Sequence, residues 1–254
     1  MCGIIGYVGQ KDVVPLLLDG LKRLEYRGYD SAGIAVQTNG SITVEKVSGK
    51  ISALEDRLAH LEIKGTSGIG HTRWATHGEP NTRNAHPHCD CHARVALVHN
   101  GIIENFGPLR DLLAKEGHTF QSETDTEVLA HLIERFHERG KPLEEAVKGA
   151  LGMVQGTYGI AVICCDEPRK IVAARNGSPL VLGIGTDEYF VASDVAAIMC
   201  HTRDVVYMDD GEVAVLTPEG FTTATSEDQE VIKEIEKITW SLEMAEKGGY
   251  PHFM

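Results

Sequence analysis

Cys2 follows Met1 and precedes Gly3-Ile4-Ile5-Gly6, so removal of one residue leaves a thiol and a free α-amine on the same residue. The thiol has an ordinary pKa of about 8.5 and the amine about 7.7–8.0, so near neutral pH part of the amine can accept the thiol proton. Nucleophile and base then need no partner. Such a thiol requires a pocket that holds an electrophilic carbon beside it, with donors aimed at the developing oxyanion. Asn100-Gly101 can supply them as a side-chain amide and an unshielded backbone N–H, although Asn-Gly read alone is also a turn signal. The run His71-Thr72-Arg73-Trp74-Ala75-Thr76-His77-Gly78 places a guanidinium, an indole, two hydroxyls and two imidazoles within eight residues. Its Arg73 is suited to bidentate capture of a carboxylate and its Trp74 to closing over it. Asp125 reads as an acid in a helix first turn. If it faces the cleft of Arg73, the two form a clamp for the α-carboxylate and α-ammonium of a free amino acid. Arg27 and Asp30 could steady the N-terminus or shape a turn.

His86, His88, Cys89, Cys91 and His92 are set aside as a metal cluster. The spacing lacks a paired CxxC, and alternating ligands on one strand point to opposite faces. Cys164, Cys165 and Cys200 read as small buried hydrophobes.

Positioning these groups falls to elements legible in the apolar pattern. Residues 3–9 read as a buried central strand, followed by a helix capped by Asp12 with Pro15 in its first turn and Leu17, Leu21 and Leu24 at helical spacing. Residues 31–36 and 42–47 read as a hairpin around Thr38-Asn39-Gly40, and 51–61 as a one-faced helix. Strands at 68–71 and 95–99 enclose an aperiodic His-, Asn- and Pro-rich loop of functional length. Pro108 opens a short helix carrying Leu109, Leu112 and Leu113 inward. Thr124 and Glu127 read as a capping box, and 143–153 as a further helix. Six strands are then expected, at 160–164, 171–174, 181–184, 189–192, 205–208 and 213–216. This order implies two stacked sheets covered by helices, not a parallel βαβ sheet.

The chain has 254 residues, 42% of them hydrophobic, and a formal charge of −13, which disfavours nucleic acid and anionic membranes as partners. Six cysteines without a signal peptide point to a reducing cytoplasm, and no apolar run reaches membrane-spanning length.

Residues 2–6, 23–33, 71–80, 84–88, 99–105 and 122–128 together resemble the glutaminase domain of the glucosamine-6-phosphate synthases, the isomerizing glutamine–fructose-6-phosphate aminotransferases among class II amidotransferases. Cys89 departs from the pattern. The resemblance implies an α+β fold, a four-layer αββα sandwich of the N-terminal nucleophile hydrolase type. It implies a glutaminase domain over 1–222, then a charged segment and linker over 223–254 toward a sugar-isomerase domain not contained here. It implies that Cys2 attacks the side-chain amide of L-glutamine, that Asn100 and Gly101 form the oxyanion hole, and that Arg27 positions the nucleophile. Arg73, Thr76, His77 and Asp125 would hold the amino-acid end, with Trp74 as gate. Ammonia would pass to fructose-6-phosphate in the other half, through which a homodimer could form. No cofactor or metal is called for. The alternatives are the glutaminase domain of another class II amidotransferase, or a non-catalytic regulatory module.

Overall fold

The computed structural model describes residues 2–38 and 40–239. In chain order the elements are β1 (Gly3–Val8), α1 (Val13–Arg23), β2 (Ser31–Thr38), β3 (Ser41–Ser48), α2 (Ile51–Leu58), β4 (Ser67–Arg73), β5 (His88–Cys89) and β6 (Val95–Ile103). Then come α3 (Phe106–Lys115), α4 (Thr126–His137), α5 (Leu143–Leu151), β7 (Gly156–Cys164), β8 (Glu167–Asn176), β9 (Val181–Ile184) and β10 (Tyr189–Ala192). β11 (Asp204–Tyr207), β12 (Glu212–Thr217), β13 (Gly220–Thr225) and β14 (Glu236–Lys237) are the last among the described residues.

The strands form two sheets, one ordered β14-β11-β9-β10-β1-β4-β2-β3 and the other β13-β12-β8-β7-β6-β5. Both are antiparallel throughout, as the short connections and alternating pattern require. Successive residues of β1 point to opposite faces. Ile4 joins Ile69, Val98, Ala161 and Ile171 between the sheets, while Ile5 joins Leu17, Leu21 and Leu54 under α1 and α2. On the far side α3, α4 and α5 bury Leu113, Leu129, Leu132 and Val147 against Leu97, Ile160 and Val162. Three apolar layers between four structural layers define an αββα sandwich. Each fully buried Leu or Ile side chain stabilises it by about 1.5–3 kcal/mol.

The two-sheet expectation holds, and so does the Asp12 cap, whose Oδ1 accepts from Val14 N at 3.3 Å. Three local expectations are corrected. Asn100 and Gly101 do not follow a finished strand, because β6 runs on to Ile103, paired with β7 through Asn100↔Gly159 and Gly101↔Tyr158. Thr124 and Glu127 form no capping box. The Glu127 carboxylate instead accepts from Gln121 N and Ser122 N, each at 2.6 Å, while Thr124 Oγ1 bonds His88 Nε2 at 3.1 Å. Cys200 is exposed and Cys165 half-buried, so of the three cysteines only Cys164 is a core residue. Cys200 lies in the turn after the 3-10 segment Val195–Ala197, where its sulfur donates to Asp19 of α1 at 3.3 Å. β13, β14 and β5 were not anticipated, since β13 alternates through threonines and the other two have two residues each. The expected domain boundary after 222 falls inside β13. Met1, Asn39 and the terminal 240–254, with its Gly248-Gly249-Tyr250-Pro251 run, lie outside the described residues.

Candidate active site

β1 lies between β10 and β4, with Gly3 opposite Thr72 and Ile4 opposite His71. That register delivers the head of β1 to the end of β4, where Arg73 and Trp74 leave the sheet. Cys2 Sγ accepts from Trp74 N–H at 3.2 Å and lies 3.6 Å from Trp74 O. Its backbone carbonyl accepts from Arg27 Nη1 at 3.3 Å and from Asn100 Nδ2 at 3.5 Å. Arg27 is itself held by Asp194, which also accepts from Tyr26, and Ile4 N donates to Ser193 Oγ at 3.0 Å. Asp194 and Ser193, at the end of β10, thus brace the N-terminal residue. No local sequence signal marked them.

A cavity of about 520 Å³ opens here, with Cys2, Arg27, Arg73, Trp74, Thr76, Asn100, Gly101 and Asp125 all on its wall. Eight of the nine residues singled out in the sequence therefore share one cleft. His77 is not among its lining residues. Its ring packs edge-on against Phe106, and its carbonyl accepts from Arg73 Nη2. The five residues weighed as a metal cluster do not meet: His86 and His88 turn inward, whereas Cys91 and His92 face solvent.

Arg73 is 4% exposed, and among the described residues its Nη1 is buried without a hydrogen-bond partner. Arg73 lines the cleft, and a guanidinium there, with a donor that no protein group uses, suits capture of a carboxylate. Asp125 caps α4 without bonding the helix's own N–H groups. Its Oδ2 accepts from Ile103 N at 2.7 Å, which aligns its carboxylate with the cleft. Trp74 is 54% exposed at the rim and packs beside Gly28, where an added Cβ would meet the indole at 2.9 Å.

The Asn100 amide is fixed by His71, whose Nε2–H donates to Oδ1 at 2.9 Å and so leaves Nδ2 turned toward Cys2. Gly101 has φ 136°, and an added Cβ would sit 2.1 Å from Thr157 O. No side chain can occupy that position without moving β7. His71 was only one member of a donor-rich run in the sequence; its role depends on β4 and β6 meeting across the sheets.

Burial pushes the Cys2 thiol above its ordinary value, against the opposing pull of the Trp74 N–H and the Arg73 charge. The resting sulfur is therefore protonated at neutral pH, and among the described residues its hydrogen bonds are to Trp74 alone.

Beside the cleft His71 stacks on His86 with ring centroids 4.2 Å apart, His86 meets His88 edge-on at 4.7 Å to form a column, and His99 N donates to His86 Nδ1. Burial lowers all four imidazoles, His71 to about 3, so they stay neutral. Rings neutral in the fold but free to protonate when unfolded contribute stability fully present above about pH 6.5 and lost as pH falls below it. Denaturant midpoints in chelator-containing buffer should fall between about pH 7 and pH 5.5, the unfolding free energy dropping by up to about 1.4 kcal/mol per pH unit for each ring. Equal midpoints at the two pH values would rule out the neutral column.

A two-sheet sandwich with a cysteine at the head of a central strand, facing an arginine-lined cleft, is the architecture of N-terminal nucleophile amidotransferases. The chain belongs to the glutamine amidotransferase domain family, whose model matches residues 45–249. Over its full length it is 51% identical to the isomerizing glutamine–fructose-6-phosphate aminotransferase of Thermococcus kodakarensis and 53% identical to that of Chlorobaculum tepidum. It spans 42% of the length of each of these relatives. A solved glutamine phosphoribosylpyrophosphate amidotransferase from B. subtilis superposes with a TM-score of 0.75 at 29% identity, over 89% of this chain and 49% of that one. No described helix is long and apolar enough to cross a membrane.

Proposed function

We propose that the chain, with Met1 removed, hydrolyses the side-chain amide of L-glutamine through a thioester on Cys2. The observation that carries this is the convergence of Cys2, Arg73 and Asn100 on the wall of one cleft. A half-buried, protonated thiol, hydrogen-bonded among the described residues to Trp74 alone, needs a base, and its own α-amine is the one that processing supplies. The amine takes the thiol proton as sulfur bonds to the amide carbon. Asn100 Nδ2 and the Gly101 N–H stabilise the oxyanion, and the resulting ammonium returns its proton to the departing nitrogen as ammonia. Water, deprotonated by the same amine, then cleaves the thioester to glutamate. Arg27 holds the Cys2 backbone, Trp74 covers the cleft, and His77 acts through the carbonyl that braces Arg73. Intact-mass measurement after treatment with a glutamine-like electrophile tests the assignment, with one adduct on a Met1-free chain as the expected result. An adduct on any other cysteine contradicts it.

Arg73 and Asp125 bind the α-carboxylate and α-ammonium, with Thr76 beside them. Replacing Arg73 by Lys keeps the charge but loses the fork, so KM for glutamine should rise on the order of 30-fold or more with a smaller change in kcat. Competition checks the clamp independently: glutamate should inhibit, and analogues lacking either α-group should not. Equal inhibition by all of them would remove the clamp.

The names of the full-length relatives support a wider reading. We assign the residues beyond β14, the later part of the expected 223–254 segment, to a connection with a cytoplasmic sugar-isomerase domain that receives the ammonia and aminates fructose-6-phosphate, and we place homodimer contacts in that half. The longer protein should form amino sugar from glutamine, whereas this chain releases only glutamate and ammonia. The presence of both Cys2 and Arg73 favours this over a non-catalytic module.

A further inference from the structure

Away from the cleft, four metal-ligating side chains from three segments converge. Cys91 lies in the turn after β5, His118 in the turn after α3, and His131 and Glu134 on one face of α4 at i, i+3 spacing. Cys91 Sγ is 3.6 Å from His118 Nδ1 and 3.5 Å from His131 Nδ1. Glu134 Oε2 is 2.8 Å from His118 Nδ1 and 3.2 Å from His131 Nδ1. All four ligand atoms lie within 4.8 Å of one another. Tetrahedral coordination with bonds of roughly 2.0–2.3 Å requires ligand separations of about 3.3–3.7 Å, so of these four contacts the His118–Glu134 one must open the most.

We propose that Cys91, His118, His131 and Glu134 bind a zinc-class divalent ion. One thiolate, two imidazoles and one carboxylate suit zinc, whereas calcium and magnesium prefer oxygen ligands throughout. The surroundings fit as well. His131 and Glu134 are buried, and among the described residues the Glu134 carboxylate pairs only with imidazoles, not with Lys or Arg. Behind the ring, His131 Nε2 lacks a hydrogen-bond partner and faces Glu127 Oε1 at 3.8 Å, the carboxylate–histidine arrangement that orients a metal-bound imidazole. The other three groupings among the described residues fit less well: Asp19 beside Cys200 is paired with Arg23, Asp166 beside Cys164 with Arg94, and His92 and Glu138 are exposed and share Glu134 with the proposed site. With four protein ligands the ion is a structural clamp. It ties the β5 turn and the α3 turn to α4, the helix whose N-terminal end carries Asp125 into the cleft.

The test uses the chain stripped with chelator and reloaded with zinc or cobalt(II) alone, and its readouts do not involve glutamine. One ion per chain is expected, with a cobalt spectrum showing tetrahedral visible bands and a thiolate-to-metal charge-transfer band. Cys91→Ser should abolish that band, and both Cys91→Ser and His118→Gln should weaken zinc binding roughly tenfold to hundredfold. Cys91 is exposed and His118 lies near the surface, so unchanged thermal midpoints in chelator will verify that both variants fold. Cys200→Ser should leave stoichiometry and spectrum intact. Failure to retain an ion, a cobalt spectrum without the charge-transfer band, or binding that survives Cys91→Ser would each overturn the site.

Discussion

Cys2→Ala is expected to abolish release of glutamate and ammonia from glutamine, with a loss of roughly ten-thousandfold or more, because the acyl bond forms on the Cys2 sulfur. The more informative comparison is a chain that keeps its sulfur but retains Met1. There the nitrogen of residue 2 is a peptide amide, which has no basic lone pair, and the thiol has lost the group that deprotonates it. Burial already holds that thiol above its ordinary pKa, so solvent hydroxide is a poor substitute near neutral pH. Both chains should be inactive, and only the processed wild type should take up one equivalent of electrophile. Turnover by the Met1-bearing chain would remove the α-amine from the mechanism while leaving the sulfur in place. Turnover by the alanine variant would remove the sulfur too.

Asn100→Ala should lower kcat by on the order of 10²–10³ with little change in KM, since the amide serves the oxyanion and not the resting substrate. A loss seen only in KM would instead place Asn100 in ground-state binding. The His71–Asn100 hydrogen bond at 2.9 Å makes the effect separable from simple disruption. His71→Gln should cost less than Asn100→Ala, because a freely rotating amide still samples the productive orientation. Once Asn100 is gone His71 has nothing left to orient, so the double variant should lose no more kcat than Asn100→Ala alone. Full additivity would mean that His71 acts on the site by another route.

The strands around the site were legible because their apolar residues alternate and their turns carry Gly, Asn and Pro; β9 and β10 fall at the expected residues. β13 escaped notice because Thr222, Thr223 and Thr225 replace apolar residues on a strand at the end of its sheet beyond β12. The Asn100-Gly101 pair is ambiguous locally, since its dihedral freedom serves a turn as well as a strand. The nine-residue pairing of β6 with β7 removed the ambiguity.

Read along the chain, residue chemistry was enough to specify a terminal thiol, a carboxylate receptor at Arg73 and a two-sheet fold, because these depend on side-chain type and on short-range periodicity. Which groups meet was settled by packing. Cys2 reaches Trp74 across 72 residues, Asn100 takes its orientation from His71, and Cys91 finds His131 across 40, each through strand register or the face of α4. Contacts of that separation arise when the apolar layers close and bring distant segments into register. They leave no local trace in the spacing of the residues that make them.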